Sequence, residues 1–333
     1  MVTRRAVVLA LAAGLAACGG PAAPPLPAAA IDVDRVAVAG LSSGAYMATQ
    51  VHVALSSRVH GAALFAGGPY GCARGDLEVA LGACMAGTPV PSLEALVEAA
   101  KAKAASGAID PLAGLGDDRV FVFHGARDGA VAPGLAAATE AVYRGLAGDD
   151  LVLTVDAGRP VGHLLPTLDA GGDCLAPASP YLGRCGIDGA GLAMAALFGP
   201  PPAPAADRAT GAPVAFDQRA LLPEGGAEGL ARSGYAYVPE ACAAGGCGAL
   251  LVFHGCQQDA ASVGDAFVRD AGFNRWADVY RLIVVYPQTR SSYVPLNPKS
   301  CWDWWGYGGA DYDTRAGGQV AFVARVLDRL AER

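Results

Sequence analysis

Several things are scarce in this sequence, and each scarcity removes a class of function. Basic residues form no cluster past the first segment, and the formal net charge is −7. Nucleic acid is therefore not an expected partner. No C-x-x-C pair and no His/Cys ligand spacing occurs, so no metal site is expected, and nothing points to another cofactor. The longest apolar run of the first segment, Ala6 to Ala17, is too short to span a bilayer comfortably. Histidine is limited to five residues, which keeps the search for an imidazole base short.

What is abundant points elsewhere. The 333 residues are 53% hydrophobic, enough for one large domain with a single α/β core. Nine cysteines are many for a reduced compartment and suit an oxidising one. The first segment agrees. Arg4 and Arg5 precede the apolar run, which ends Leu15-Ala16-Ala17-Cys18, so residues 1–17 read as a signal peptide of lipoprotein type with Cys18 lipidated. The alternative is a plain secretory signal cut near Ala17. Residues 18–30 are small and proline-rich and are expected to be a flexible tether to a catalytic domain over 31–333. The protein is thus expected to be exported, periplasmic or extracellular, tied to a membrane if Cys18 carries acyl chains, and monomeric.

The stretch that organises the chain is Arg35 to Gln50. Val36, Val38 and the alanines beside them form a buried strand. Gly40-Leu41-Ser42-Ser43-Gly44 then fits G-x-S-x-G, in which a serine stands on a sharp strand-to-helix turn with its hydroxyl exposed. The glycines are needed because a Cβ beside the turn would strike the neighbouring strand or helix. The motif is short enough to arise by chance among 45 glycines, and the competing reading is an ordinary glycine-rich turn.

Later loops carry the partners that such a serine requires. Arg119 to Phe123 reads as a strand followed by His124-Gly125-Ala126-Arg127-Asp128, with the carboxylate just past the strand end. A strand over Leu151 to Val155 leads to Gly162-His163. The order Ser42, Asp128, His163 is that of the α/β-hydrolase plan. Serine needs an imidazole to take its proton, and the imidazole needs a carboxylate to fix its tautomer and support its charge. Asp156 is the rival acid. His52, His60 and His124 read as packing, surface or structural groups.

The second part of the chain, 213–333, carries what the first part, 31–200, lacks. Strands at Gly234 to Val238 and Gly248 to Phe253 lead to His254-Gly255-Cys256-Gln257-Gln258. A His-Gly turn after a buried strand is where this fold builds an oxyanion hole, normally upstream of the nucleophile. Here it lies far downstream. Circular permutation accounts for that: reading 213–333 before 31–200 restores the ordinary order, with the last helix, Gln319 to Leu330, brought back beside the Arg35 strand.

Gly40-Leu41-Ser42-Ser43-Gly44-Ala45, Asp128, Gly162-His163, His254-Gly255-Cys256-Gln257-Gln258 and Cys301-Trp302-Asp303-Trp304-Trp305 together resemble the polyhydroxybutyrate (PHB) depolymerases, in the branch whose catalytic domain is permuted. The resemblance implies an α/β-hydrolase fold in a single, circularly permuted domain and a serine esterase acting on poly(3-hydroxybutyrate) or its oligomers. It implies Ser42 as nucleophile, Asp128 as acid, His163 as base, and the N–H groups of Ser43 and Cys256 as oxyanion donors. Trp302, Trp304 and Trp305 are candidates for an apolar, flat-walled polyester groove, with at least one of them in the core. Family members that attack granules carry a separate binding domain, and none follows the last helix, so accessible chains or oligomers are the expected substrate. The alternatives are a feruloyl or acetyl-xylan esterase of the same fold, and a lipid-anchored binding protein with a dead triad. With Cys18 set aside, proximity pairs Cys72 with Cys84, Cys174 with Cys185 and Cys242 with Cys247, leaving Cys256 with Cys301.

Overall fold

The computed structural model describes residues 23–89 and 92–333. The expected signal, residues 1–17, and Cys18 lie outside them. Eight strands form one twisted sheet: β1 (Val36–Leu41), β2 (Gly61–Phe65), β3 (Arg119–His124), β4 (Val152–Ala157), β5 (Val214–Asp217), β6 (Ser233–Tyr237), β7 (Gly248–Phe253) and β8 (Leu282–Tyr286). Their spatial order is β4-β3-β2-β1-β7-β8-β6-β5. Only β6 runs against the rest, pairing antiparallel with both β8 and β5.

Counted from β5 as the first strand, this order becomes 1-2-4-3-5-6-7-8, the α/β-hydrolase sheet. The permutation is therefore in the strand connectivity itself. The C-terminal helix, Gly318–Ala331, returns to the chain start, where the Ala29 and Ile31 N–H groups donate to the Leu330 carbonyl at 3.3 and 3.2 Å.

The strand residues explain the layering. β1 is buried along its whole length. Val36 and Val38 point into one apolar layer and Ala37, Ala39 and Leu41 into the other, the two-residue alternation of a strand covered on both faces. The first layer holds the helix after Ser42, Ser43–Ala54, and the C-terminal helix; the second holds the helices Gly189–Phe198 and Phe273–Tyr280.

One expectation on the chain's course changes. The expected tether is anchored at several points within its described residues, 23–30: Leu26 is buried, its carbonyl accepts from Arg329 Nε at 2.8 Å, and the Pro24 carbonyl accepts from the Asp217 N–H at 2.7 Å. Low sequence complexity hid this because the contacts are mainly backbone bonds made to distant elements. The stretch 165–184 carries a small three-stranded sheet. All four cysteine pairs form as proximity suggested, including Cys256–Cys301.

Candidate active site

Four parallel strands deliver the site. Ser42 follows β1 at the sheet centre, Asp128 follows β3, His163 follows β4, and the His254–Gln258 turn follows β7, which lies directly beside β1. All are at the carboxyl ends of their strands, where an open α/β sheet places its ligands.

The turn at Ser42 has φ 57° and ψ −119°, a conformation that L-residues avoid, and the surroundings hold it there. A Cβ on Gly40 would come 2.1 Å from the Gly44 carbonyl oxygen, and one on Gly44 would come 2.2 Å from the Phe253 carbonyl oxygen. Both obstacles are backbone, so only glycine fits at either place. The helix Ser43–Ala54 starts at once and is buried throughout, so its N-terminal N–H groups and positive dipole end face the serine from a fixed support.

Ser42, His163 and Asp128 form a continuous hydrogen-bonded chain. His163 Nε2 lies 2.9 Å from Ser42 Oγ, and His163 Nδ1 lies 2.8 Å from Asp128 Oδ2. The other carboxylate oxygen, Oδ1, accepts from the N–H groups of Ala130 and Val131 at 2.9 and 2.8 Å. Burial alone would push the Asp128 carboxyl up. The bonds from His124 and His163 outweigh it and hold the group well below the usual carboxylate range. Asp128 is therefore charged at neutral pH.

The rival groups are engaged elsewhere. Asp156 pairs with Arg159, whose Nε lies 2.8 Å from Oδ1. His52 is buried between Asp118, at 2.9 Å, and the Tyr143 hydroxyl, at 3.0 Å. His60 lies 3.6 Å from the same Asp118. His124 is buried and donates from Nε2 to the Val131 carbonyl at 2.9 Å, which shapes the acid loop from behind.

The Ser43 and Cys256 N–H groups both lie beside Ser42. A Cβ built on Gly255 would stand 3.5 Å from Ser42 Cβ, so the Cys256 turn rests against the serine. Among the described residues neither N–H donates to another protein group, so both are free to donate to a group bound at Ser42. Gln258, the last residue of that motif, braces this turn. Its Oε1 accepts from the Gly255 N–H at 2.7 Å and its Nε2 donates to the Pro180 carbonyl at 2.8 Å.

The tryptophan expectation is corrected for two residues. Trp302 is fully buried, edge-on to Phe253 with centroids 4.9 Å apart. Trp304 is buried and stacked on Tyr46 at 4.5 Å. Neither can wall a groove. Trp305 alone of the three keeps partial exposure. The apolar residues on both sides of the motif fill space under the loop, and a sequence pattern does not separate that from a binding face.

A scan against protein-family profiles finds no match. Curated relatives do. The chain is 35% identical over 318 residues to a polyhydroxybutyrate depolymerase of Talaromyces funiculosus, covering 91% of each protein. It belongs to the PHB depolymerase family. It is also 37% identical over 328 residues to a poly(3-hydroxybutyrate) depolymerase of Delftia acidovorans, of which it spans 65% of the length. Two solved structures are similar over 92% of this chain and 98% of theirs. One is a serine-to-alanine variant of a PHB depolymerase complexed with an R3HB trimer, with a TM-score of 0.84 and 30% identity. The other is a PHB depolymerase from Penicillium funiculosum, with a TM-score of 0.83 and 31% identity. The α/β-hydrolase reading of the fold and the family resemblance both stand on these likenesses.

Proposed function

We propose that this protein is a serine esterase that hydrolyses the ester bonds of poly(3-hydroxybutyrate) or its oligomers through an acyl-enzyme. The observation that carries the reading is the unbroken chain from Asp128 through His163 to Ser42 on a strained elbow.

In this reading Ser42 Oγ attacks the ester carbonyl while His163 Nε2 takes its proton. Asp128 fixes the imidazole with its proton on Nδ1, so that Nε2 presents a lone pair to the serine. The carbonyl oxygen gains negative charge and is received by the Ser43 and Cys256 N–H groups. His163 then gives its proton to the departing hydroxybutyrate oxygen. Water attacks the acyl-enzyme by the same route in reverse, and the acid product leaves. The polyester assignment rests on the family, whose solved relative is complexed with an R3HB trimer. The four disulfides suit an oxidising compartment and support export. Lipidation of Cys18 is part of the proposal and is checked by palmitate labelling of wild type and Cys18→Ala.

The test is a substrate panel on the purified chain: hydroxybutyrate trimer, amorphous polymer, crystalline film, feruloyl esters and acetylated xylan, each with wild type and Ser42→Ala. Hydroxybutyrate esters should be cleaved, and Ser42→Ala should lower kcat by about 10⁴-fold or more while the fold persists. Feruloyl or acetyl esters cleaved in preference, or a near wild-type Ser42→Ala, overturns the reading.

A further inference from the structure

His254 opens the oxyanion turn and takes no part in the chemistry above. Its ring is fully buried, lying between Phe267 and Trp302. Its two nitrogens meet different partners. Nε2 faces the Thr289 backbone N–H at 3.2 Å. An N–H can only donate, so Nε2 carries the lone pair and the ring proton sits on Nδ1. Nδ1–H then donates to the Gly255 carbonyl at 2.7 Å. Burial disfavours the charged ring and lowers its pKa to about 4, so this neutral tautomer persists at neutral pH. Thr289 is itself anchored, its hydroxyl donating to the Ser300 carbonyl at 2.6 Å.

The Gly255 carbonyl and the Cys256 N–H belong to one peptide unit. In a trans peptide they point in opposite directions, so fixing the oxygen fixes the hydrogen. Glycine leaves that plane free to rock unless something holds it. The neighbouring peptides have their own anchors: the Gly255 N–H is held by Gln258 at 2.7 Å, and the Gln257 N–H by the Lys299 carbonyl at 2.6 Å. The plane between them is held at its carbonyl oxygen, which accepts from His254 Nδ1–H at 2.7 Å and, over the longer distance of 3.3 Å, from the Gln258 N–H, so the histidine makes the tighter bond.

We propose that His254 is a positioning residue for the oxyanion hole, its Nδ1–H holding the Gly255–Cys256 peptide so that the Cys256 N–H is aimed at the oxygen of the tetrahedral intermediate. The inference rests on the reading of Ser42 as nucleophile and Cys256 as donor. An aimed donor matters because a preorganised dipole stabilises developing charge without first having to turn.

Two variants separate the two bonds. In His254→Gln the side-chain amide reaches the Nε2 position and keeps an acceptor for Thr289, but no donor remains for Gly255. In His254→Asn the amide nitrogen occupies the Nδ1 position and keeps that donor. Hydrolysis of p-nitrophenyl butyrate is measured per active site, counted by fluorophosphonate titration. His254→Gln should lower kcat by about 10- to 100-fold with KM unchanged, because the bond acts only on the transition state. It should weaken inhibition by an alkylboronic acid by a similar factor, since the boronate adduct on Ser42 puts an oxygen in the hole. His254→Asn should restore both to within about threefold of wild type. A merely structural role would move KM and thermal midpoint and would not rank Asn above Gln. A His254→Gln enzyme with kcat within about twofold of wild type, or two variants that fall equally, overturns the proposal. Ser42→Ala is run alongside. If it is inactive while His254→Gln is unimpaired, the positioning role alone fails; if it is active, the nucleophile reading fails and takes the inference with it.

Discussion

The backbone N–H of Trp302 donates to the side-chain hydroxyl of Ser43 at 3.4 Å, across 259 residues of chain. The contact ties the tryptophan motif to the first residue of the helix Ser43–Ala54. With the Cys256–Cys301 disulfide one residue away, it makes the Ser42 elbow, the His254–Gln258 turn and the 301–305 loop a single braced unit. A tetrahedral intermediate gains most from donors that are already in place.

Asp128→Asn should be nearly as damaging as loss of the serine. Oδ1 is held by two backbone N–H groups, so the amide oxygen of asparagine must stay there. The amide nitrogen is then forced toward His163 Nδ1 and donates to it, leaving the imidazole proton on Nε2 and no lone pair for Ser42. Expected is a fall in kcat of about 10³- to 10⁴-fold with the fold intact. Steady-state kinetics beside a circular dichroism spectrum checks it, and Asp156→Asn is the control that should remain close to wild type.

Removing the Cys256–Cys301 bridge in the double alanine variant should cost both stability and rate. The bond closes a span of 45 residues, and such a cross-link contributes about 4 kcal/mol in the chain-entropy account. Urea titration should report a loss on the order of 2–4 kcal/mol. The kcat should fall more than KM rises, because the bridge steadies a donor. Unchanged kcat in the folded variant would detach the bridge from the oxyanion hole.

Acid should weaken the fold through His254. Its pKa is lowered from 6.5 to about 4, chiefly by burial. Above about 6.5 neither the folded nor the unfolded chain holds this proton, and the stability is fully present. As pH falls from there toward 4, only the unfolded chain takes up the proton, so stability declines across that window by about 3 kcal/mol and then levels off. His60, raised by its bond to Asp118, contributes with the opposite sign. Denaturant midpoints for wild type and His254→Asn between pH 4 and 8 isolate the term: the variant should lack about one proton's worth of slope, while His60 is common to both.

The three tryptophans should separate by measurement. Trp302→Ala leaves a large void under β7 and should lose about 3–5 kcal/mol. Trp305→Ala, at a half-buried position, should lose much less and is the one variant of the three able to raise KM for hydroxybutyrate oligomers without unfolding the loop. Equal destabilisation by the two would remove Trp305 from the substrate surface.

Chemistry that depends on residue type and order was legible in the chain. Gly40 and Gly44 beside a serine signalled a turn too tight for a Cβ, and the strand runs before Ser42, Asp128 and His254 announced a parallel sheet. Even the permutation could be read, because connectivity is a property of order, and the sheet order supports it. What the tertiary structure decided is which groups face which. Asp156 and Asp128 both lie near strand ends, and only packing shows one taken by Arg159 and the other by His163. Trp302 and Trp305 share a motif, yet one fills the core and the other reaches its edge. The tautomer of His254 follows from a backbone N–H thirty-five residues away. Such choices are set by long-range contacts whose partners lie far apart in the chain, and no local pattern of residues encodes them.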